Sequence, residues 1–160
     1  MPSGDVHTAV NLGVLAGTAG LLSLLGVPRD PLLLYGGGFL IGTLLITPDL
    51  DLAGHVRVRA RRNWGIWGDL WRPLSLFVRH RGVTHTFLRG PALLLTYAAL
   101  MLGLILSGLV LLLQAASLNL SLNLPPVPPQ RALLALAGYL LAYWLHVWLD
   151  GYRPWQPGRW

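Results

Sequence analysis

The chain has 160 residues, of which 54% are hydrophobic and only 11% are charged, well below the roughly 25% of a soluble domain. This composition excludes an ordinary soluble protein and predicts a single membrane-embedded domain over residues 1–160. The net charge of +6 comes entirely from arginine and aspartate, and cysteine is absent. Disulfides and thiolate metal sites are therefore excluded, and any metal must be held by histidine, aspartate and neutral oxygen atoms.

Four stretches are long and apolar enough to cross a bilayer, which takes about 20 residues. The first two are joined by a short turn, and the last two by an uncharged, proline-rich loop at residues 114–130. The predicted fold class is therefore an all-α, polytopic membrane protein. The predicted transmembrane helices are residues 6–27, 31–48, 91–113 and 131–149.

A basic loop rich in tryptophan, residues 52–89, separates the second and third predicted spans. Trp64, Trp67 and Trp71 recur at helical spacing, which predicts one aromatic face. Together with the neighbouring arginines, this pattern favours a short amphipathic helix that lies in the headgroup layer of the membrane. The alternative is a packed cap in which the tryptophan side chains belong to the core.

Arginine is distributed unequally between the two sides of the predicted bundle. Eight arginines lie in the 52–89 loop and two in the C-terminal tail, whereas the other side has only Arg29 and Arg131. The positive-inside rule then places the loop and both termini in the cytoplasm, in a cell (inner) membrane. Membrane lipids are the expected partners. Arginine interleaved with tryptophan can also bind nucleic acid, but the flanking spans explain these arginines more simply.

Two patterns predict how the spans pack together. Small residues at four-residue spacing allow membrane helices to approach closely. In the first span His7, Asn11 and Thr18 form a polar stripe, which usually faces the bundle interior. The pairs of small residues are Gly13/Gly17, Gly38/Gly42 and Gly138/Ala142.

On this topology the remaining histidines and aspartates converge at one membrane level. They come from the predicted cytoplasmic ends of all four spans. Since the arginine distribution alone predicts that topology, the convergence is independent evidence for a shared site. Such a set suits one or two divalent ions, zinc above all, with manganese, iron or magnesium as alternatives. The metal-free alternative is a group of buried histidine–aspartate pairs. The candidate ligands are His7, Asp49, Asp51, His80, His85, His146 and Asp150.

Local sequence suggests how some of these side chains meet. His146 and Asp150 are one helical turn apart on the same face. Because Pro48 disfavours helix before it, the chain around Asp49 and Asp51 is expected to be extended, so that both carboxylates point the same way.

The stretch RHRGVTHT contains two histidines that would not share a face of one straight helix. Gly82 allows a turn that brings His80 and His85 together, and Thr84 is a candidate cap for the helix that follows. The same turn is expected to aim Arg81 into the cluster. There its guanidinium can hold a phosphate through charge-assisted hydrogen bonds.

The elements MPSGDVH, TPDLD, RRNWGIWGDLWRPL and RHRGVTHT resemble a family of uncharacterised, metal-binding integral membrane proteins. More distantly, the pattern H…PDxD…HRGxTH…HxxxD is similar to the LexA-regulated, inner-membrane, metal-dependent hydrolases. The resemblance covers nearly the whole chain. It implies that the same seven histidine and aspartate side chains are the metal ligands.

Two functions remain open at this point. The first is a membrane-bound, metal-dependent hydrolase that acts on a phosphoester, lipid-like or lipid-linked substrate at the cytoplasmic surface, with Asp49, Asp51 and Arg81 as catalytic residues. The second is a non-enzymatic metal-binding membrane protein, in which the cluster is a structural metal site, a metal sensor or a carrier site. No residue selects a phosphoester over an amide or an acyl ester.

Overall fold

The structure, a computed structural model, describes residues 3–118 and 126–154. The regular structure in this part of the chain is entirely helical, with turns and irregular segments between the helices and no strand. Its α-helices are α1 (Gly4–Leu24), α2 (Arg29–Leu44), α3 (Arg59–Asn63), α4 (Leu74–Phe77), α5 (Arg89–Ala115) and α6 (Pro129–Leu149). Short 3-10 helices lie at Pro48–Leu52, Gly65–Trp71 and Val83–His85. Part of the predicted 114–130 loop, the first two residues and Arg159 lie outside the described residues.

Four helices are long and apolar enough to cross a membrane: α1, α2 with the turn that follows it, α5 and α6. Their ends lie within four residues of the predicted spans. Hydropathy finds them because each carries about 20 residues with almost no charge.

Helices α2 and α6 run in parallel and form the tightest contact in the bundle. A Cβ atom on Gly38 would lie 1.8 Å from the carbonyl oxygen of Ala135, and one on Gly138 would lie 2.0 Å from that of Tyr35. The absence of side chains at these two glycines therefore permits the close approach. The predicted pairs on α2 and α6 are confirmed as packing positions. The prediction for Gly13 and Gly17 is wrong, because no other described part of the chain comes within 4 Å of a Cβ there.

The polar stripe of α1 ties this helix to the other two. Asn11 is buried, and its amide nitrogen donates to Oγ1 of Thr43 on α2 at 3.2 Å and to the carbonyl of Ala142 on α6 at 3.0 Å. Thr18, further along, bonds only to carbonyl oxygens of its own helix. The stripe therefore serves helix packing near one end of the bundle and does not continue as a polar path.

The 52–89 loop folds over the end of the bundle where α2 and α6 terminate. The indole Nε1 of Trp64 donates to the carbonyl of Leu45 at 2.9 Å, and the Asn63 amide donates to that of Leu44 at 2.8 Å. These bonds satisfy carbonyls that the end of a helix leaves without partners. The loop is thereby fixed to the level at which α2 ends.

The three tryptophans of this loop do not share one face. Trp71 is 3% exposed and packs against Trp64 and against Tyr97 of α5, with ring centroids 5.6 and 5.3 Å away, whereas Trp67 is 52% exposed. The expected amphipathic α-helix is a 3-10 helix over Gly65–Trp71. The α-helical period therefore does not apply to this segment, and tertiary packing brings Trp64 and Trp71 together. The packed-cap alternative therefore describes Trp64 and Trp71.

Candidate metal centre

All seven histidine and aspartate side chains predicted as ligands lie together at the end of the bundle covered by the 52–89 loop. They come from separate elements that the sequence scatters over most of the chain. His7 is the fourth residue of α1, and His146 lies three residues before the end of α6. Asp49 and Asp51 are in the Pro48–Leu52 turn. His80, His85 and Asp150 come from the loop before α5 and the cap of α6.

Asp49 and Asp51 are not on extended chain, which corrects the prediction. Pro48 is the first residue of a 3-10 helix, where a proline lacks no needed hydrogen bond. Residues i and i+2 of such a helix point in different directions. Asp49 consequently faces His146 of α6, whereas Asp51 faces the His80–His85 loop.

One part of the cluster contains the carboxylates of Asp49 and Asp150 and the imidazoles of His85 and His146. Nε2 of His146 lies 3.5 Å from Oδ2 of Asp49 and 3.6 Å from Oδ2 of Asp150. Nε2 of His85 lies 3.3 Å from the same Asp150 oxygen. One donor atom from each of these four residues lies within 4.8 Å of the other three. The group can therefore converge on a single ion.

His7 supports this group from α1. Its Nε2 lies 3.1 Å from Oδ1 of Asp150, which leaves the other oxygen of that carboxylate for His85 and His146. Its ring also stacks on the ring of His146, with centroids 4.0 Å apart and planes 7° from parallel. His7 thus orients one carboxylate and one imidazole at once.

The other part of the cluster is built around Asp51, whose side chain is fully buried. It accepts from Nδ1 of His80 at 2.9 Å, from the Thr84 hydroxyl at 2.6 Å and from the backbone N–H of Arg81 at 3.3 Å. Asp51, His80 and His85 also offer three donor atoms within 4.8 Å of one another. In this structure, however, the Asp51 carboxylate is already satisfied by protein donors.

Arg81 contributes its backbone to this arrangement. Its φ of 63° lies in the left-handed region, a conformation that costs a non-glycine residue on the order of 1 kcal/mol, and it turns the N–H towards Asp51. The side chain is exposed, and among the described residues its guanidinium forms no ion pair with a cluster aspartate. A role for this guanidinium in substrate binding stays a prediction.

The hydrogen bonds of Thr84 define the tautomer of His85. An ionised carboxylate only accepts, so the Thr84 hydroxyl uses its one proton on Asp51. Towards Nδ1 of His85, 3.2 Å away, the same hydroxyl must accept, and Nδ1 therefore carries a proton. In neutral His85 this leaves a lone pair on Nε2, which faces Asp150.

Thr84 is therefore not the helix cap that the sequence suggested. Helix α5 begins four residues later than such a cap requires, and the hydroxyl of Thr86 accepts from the N–H of Gly90 in its first turn at 2.9 Å. The Thr84 carbonyl accepts from the phenol of Tyr143. Sequence reasoning missed Tyr143, although its position one turn before His146 on α6 was a usable signal.

Two buried ring nitrogens show that this donor set fits a metal ion. Nε2 of His85 and Nε2 of His146 are buried and have no hydrogen-bond partner among the described residues. Both instead face carboxylate oxygens at 3.3 to 3.6 Å. A buried lone pair opposite a carboxylate is unfavourable unless a cation lies between them.

The charge state of Asp150 agrees with such a site. Burial alone would raise the pKa of this carboxyl group, but the hydrogen bonds and positive charge that His7 and His85 supply when they are protonated outweigh burial and hold the pKa well below its usual value. Asp150 thus lies in a site that favours its ionised form, the form that binds a divalent ion.

Comparison with known proteins agrees with this geometry. Residues 2–158 match the family described as Uncharacterized metal-binding protein (DUF2227). The chain belongs to this family. A protein of Aquifex aeolicus (strain VF5), itself described as an uncharacterized protein, is 41% identical over 71 residues. That match covers 44% of the present chain, and the chain spans about half (48%) of the length of that relative. No solved structure matches the chain.

Family membership supports the metal-binding part of the resemblance described above, and the structure supplies a histidine and aspartate site for it. The distant similarity to metal-dependent hydrolases receives no support from these comparisons. Hydrolysis and the identity of the metal are therefore matters for proposal.

Proposed function

We propose that this protein is a membrane-embedded metal-binding protein that holds one divalent ion between Asp49, His85, His146 and Asp150. The observation that carries the proposal is the pair of buried, unpartnered Nε2 atoms of His85 and His146, which face the same carboxylate. A metal ion is the partner that satisfies two imidazole lone pairs and two carboxylates together.

The distances within this group support four-coordinate binding. Zinc–nitrogen bonds of about 2.0–2.1 Å in a tetrahedron separate neighbouring donor atoms by about 3.3 Å. Three nitrogen–oxygen separations between His85, His146, Asp49 and Asp150 are 3.3, 3.5 and 3.6 Å, and the remaining donor pairs lie within 4.8 Å. A mixed nitrogen and oxygen set favours zinc or another transition metal over magnesium, which prefers oxygen and keeps several waters.

The other three predicted ligands support this group from outside. Asp51 acts on His85 through the Thr84 hydroxyl, and His7 holds the second oxygen of Asp150. Partners of this kind fix the tautomer and orientation of the ligands that contact the metal. Because Asp51 is already satisfied by His80, Thr84 and the backbone, one ion per chain is expected rather than two.

The metal content of the detergent-purified full chain tests this assignment. Elemental analysis should find one divalent ion per chain, and His85→Ala and His146→Ala should each lose most of it. The matched control is His55→Ala, because His55 is an exposed histidine outside the cluster. Full metal retention in both cluster variants, or equal loss in the control, contradicts the site.

Membrane insertion is part of the same proposal. Four helices have the required length and hydropathy, and nine of the eleven arginines in the described part of the chain lie on the side of the metal centre. We infer a cytoplasmic location for that end of the bundle and for both termini. Reporter fusions at the C-terminus and in the 114–130 loop should give opposite locations, with the C-terminus cytoplasmic.

Hydrolysis of a phosphoester or lipid-like substrate is the second candidate function, and the position of His80 favours it. This side chain is partly exposed at the edge of the cluster, and its Nδ1 donates to buried Asp51. Neutral His80 therefore keeps Nε2 as an acceptor that can take a proton from water. A bound divalent ion would supply Lewis acidity for a phosphoryl or carbonyl oxygen. Of the two catalytic aspartates, Asp49 is the more exposed, with 26% of its side chain accessible against 0% for Asp51.

A substrate panel separates the two functions. Metal-loaded protein is assayed on phosphomonoesters, phosphodiesters, acyl esters and amides, beside His80→Ala. An enzyme should lose activity in this variant while its metal content stays unchanged. If fully metallated protein cleaves none of these substrates, the non-enzymatic function, a structural metal site, a sensor or a carrier, is the better description.

A further inference from the structure

A second polar feature lies at the same end of the bundle as the metal centre. It is a pocket of about 450 Å³ beside α3 and the Gly65–Trp71 turn, and neither the metal site nor the proposed chemistry uses it. Three of its six lining residues are arginines. The lining residues are Arg57, Arg61, Arg62, Gly65, Ile66 and Asp69.

Arg61 forms the rigid part of this pocket. It is 7% exposed, and its Nη1 donates to the carbonyl of Ala53 at 2.7 Å while Nη2 contacts Asp69 at 2.6 Å. A Cβ on Gly68 would lie 2.3 Å from the carbonyl oxygen of Arg61, so the turn is packed directly against α3. Asp69 also contacts Arg72 at 3.2 Å and is therefore shared by two guanidinium groups.

Arg57 and Arg62 leave the pocket with excess positive charge. Both side chains are exposed. Within residues 3–118 and 126–154, the guanidinium groups of Arg57 and Arg62 form no ion pair within 4 Å. The carboxylate of Asp69, which also lines the pocket, is paired with Arg61 and Arg72. The pocket can therefore accept an anion on two arginines, and guanidinium groups bind phosphate oxygens in a bidentate manner.

An exposed apolar side chain also lines the pocket. Ile66 is 85% exposed, and the next residue in the chain, Trp67, is 52% exposed. The hydrogen bonds from Asn63 and Trp64 to the last carbonyls of α2 hold this segment at the level where α2 ends. A cationic floor beside an exposed tryptophan and isoleucine, at the end of a membrane-spanning helix, matches the boundary between lipid headgroups and acyl chains.

We propose that the Arg57–Arg62 pocket binds the phosphate group of an anionic phospholipid headgroup, with Ile66 and Trp67 in contact with the lipid. The proposal rests on the membrane location proposed above and makes no use of the metal centre. Metal content therefore serves as an independent readout.

The test measures phosphatidylglycerol retained by the full-length protein in mild detergent, by native mass spectrometry, with phosphatidylcholine as the zwitterionic comparison. The variant is Arg57→Gln/Arg62→Gln. The matched control is Arg29→Gln/Arg131→Gln, which makes the same charge change with exposed arginines at the opposite end of the bundle. Phosphatidylglycerol retention should fall about fivefold for each pocket arginine removed, whereas the control and the metal content of both proteins should stay unchanged.

Several outcomes overturn the proposal. Wild-type protein that prefers phosphatidylcholine, or equal losses in the variant and the control, would show that the pocket does not select an anionic lipid. Inorganic phosphate that displaces phosphatidylglycerol at equal concentration, together with an unchanged affinity in Ile66→Ser, would assign the pocket to a free anion. A single-stranded RNA that binds at physiological salt and is lost in the pocket variant would assign it to nucleic acid.

Discussion

The Thr84 hydroxyl lies 2.6 Å from Oδ2 of Asp51, and this contact fixes the direction of the hydrogen bonds around His85. The carboxylate accepts from the hydroxyl, the hydroxyl accepts from Nδ1 of His85, and Nε2 is left with a lone pair that is available to a metal ion. Asp51 thus sets the tautomer of an imidazole on the far side of a threonine.

Thr84→Val should lower the metal affinity of the protein about 10- to 100-fold, the usual effect of removing a partner that orients a ligand. Valine keeps the shape of threonine but cannot accept a hydrogen bond from Nδ1 of His85. The tautomer with its proton on Nδ1 and a lone pair on Nε2 is then no longer favoured. Affinity is measured by competition with a chromophoric chelator. Thr84→Ser keeps the hydroxyl and should retain most of the affinity, and equal loss in both variants would attribute the effect to packing.

Removal of the metal should lower the stability of the folded protein. An ion that binds only the native state at 1,000 times its Kd contributes about 4 kcal/mol, and three separate chain segments would supply its ligands. The measurement is thermal unfolding in detergent with and without a chelator. His146→Ala is the control, since a protein that cannot bind the ion should not respond to the chelator. An identical decrease in this variant would point to an effect of the chelator itself.

Gly38→Ala should destabilise the protein by about 3 kcal/mol or more, because an added methyl group would overlap the Ala135 carbonyl and force α2 and α6 apart. Gly37→Ala is the matched control on the neighbouring position, where a Cβ meets nothing within 4 Å. The control should be neutral or gain up to about 1 kcal/mol from helix propensity. Denaturant titration in mixed micelles measures both, and similar stabilities would contradict the close contact.

Trp71→Ala and Trp67→Ala distinguish a packed cap from an interfacial helix. Trp71 is buried against Trp64 and Tyr97, so its truncation should cost about 3–5 kcal/mol. Trp67 is half exposed, and its truncation should change stability by less than about 1 kcal/mol in detergent. Equal costs for the two substitutions would mean that the three tryptophans act as one face after all.

The helices and the convergence of the site could be predicted because both depend on long-range, one-dimensional signals. Stretches of about 20 uncharged residues are found by hydropathy, and successive helices that alternate in direction bring His7, Asp49, His85 and Asp150 to one end of the bundle. Glycine spacing marked the α2–α6 contact correctly, but the same spacing at Gly13 and Gly17 carries no contact in the described chain. The pattern allows close approach and does not identify which helix comes close.

The details of the 52–89 loop could not be predicted from the sequence, because tertiary contacts decide them. The tryptophan spacing favours an α-helix, but the segment forms a 3-10 helix over Gly65–Trp71. Trp64, just before it, is held by the end of α2, and Trp71 packs against α5. Likewise, nothing local shows that the Thr84 hydroxyl bonds to Asp51 rather than to the start of α5. Only the position of Asp51 in three dimensions decides between them.

The contact between His7 and Asp150 joins the first long helix to the end of the last, with most of the chain between them. During synthesis, therefore, the His7 imidazole cannot meet its carboxylate until α6 has left the ribosome. The proposed four-residue site needs His146 and Asp150 as well, so it is complete only when the last long helix has joined the bundle. If that site holds the ion, metal loading follows synthesis of α6, and metal content reports that this helix is correctly placed.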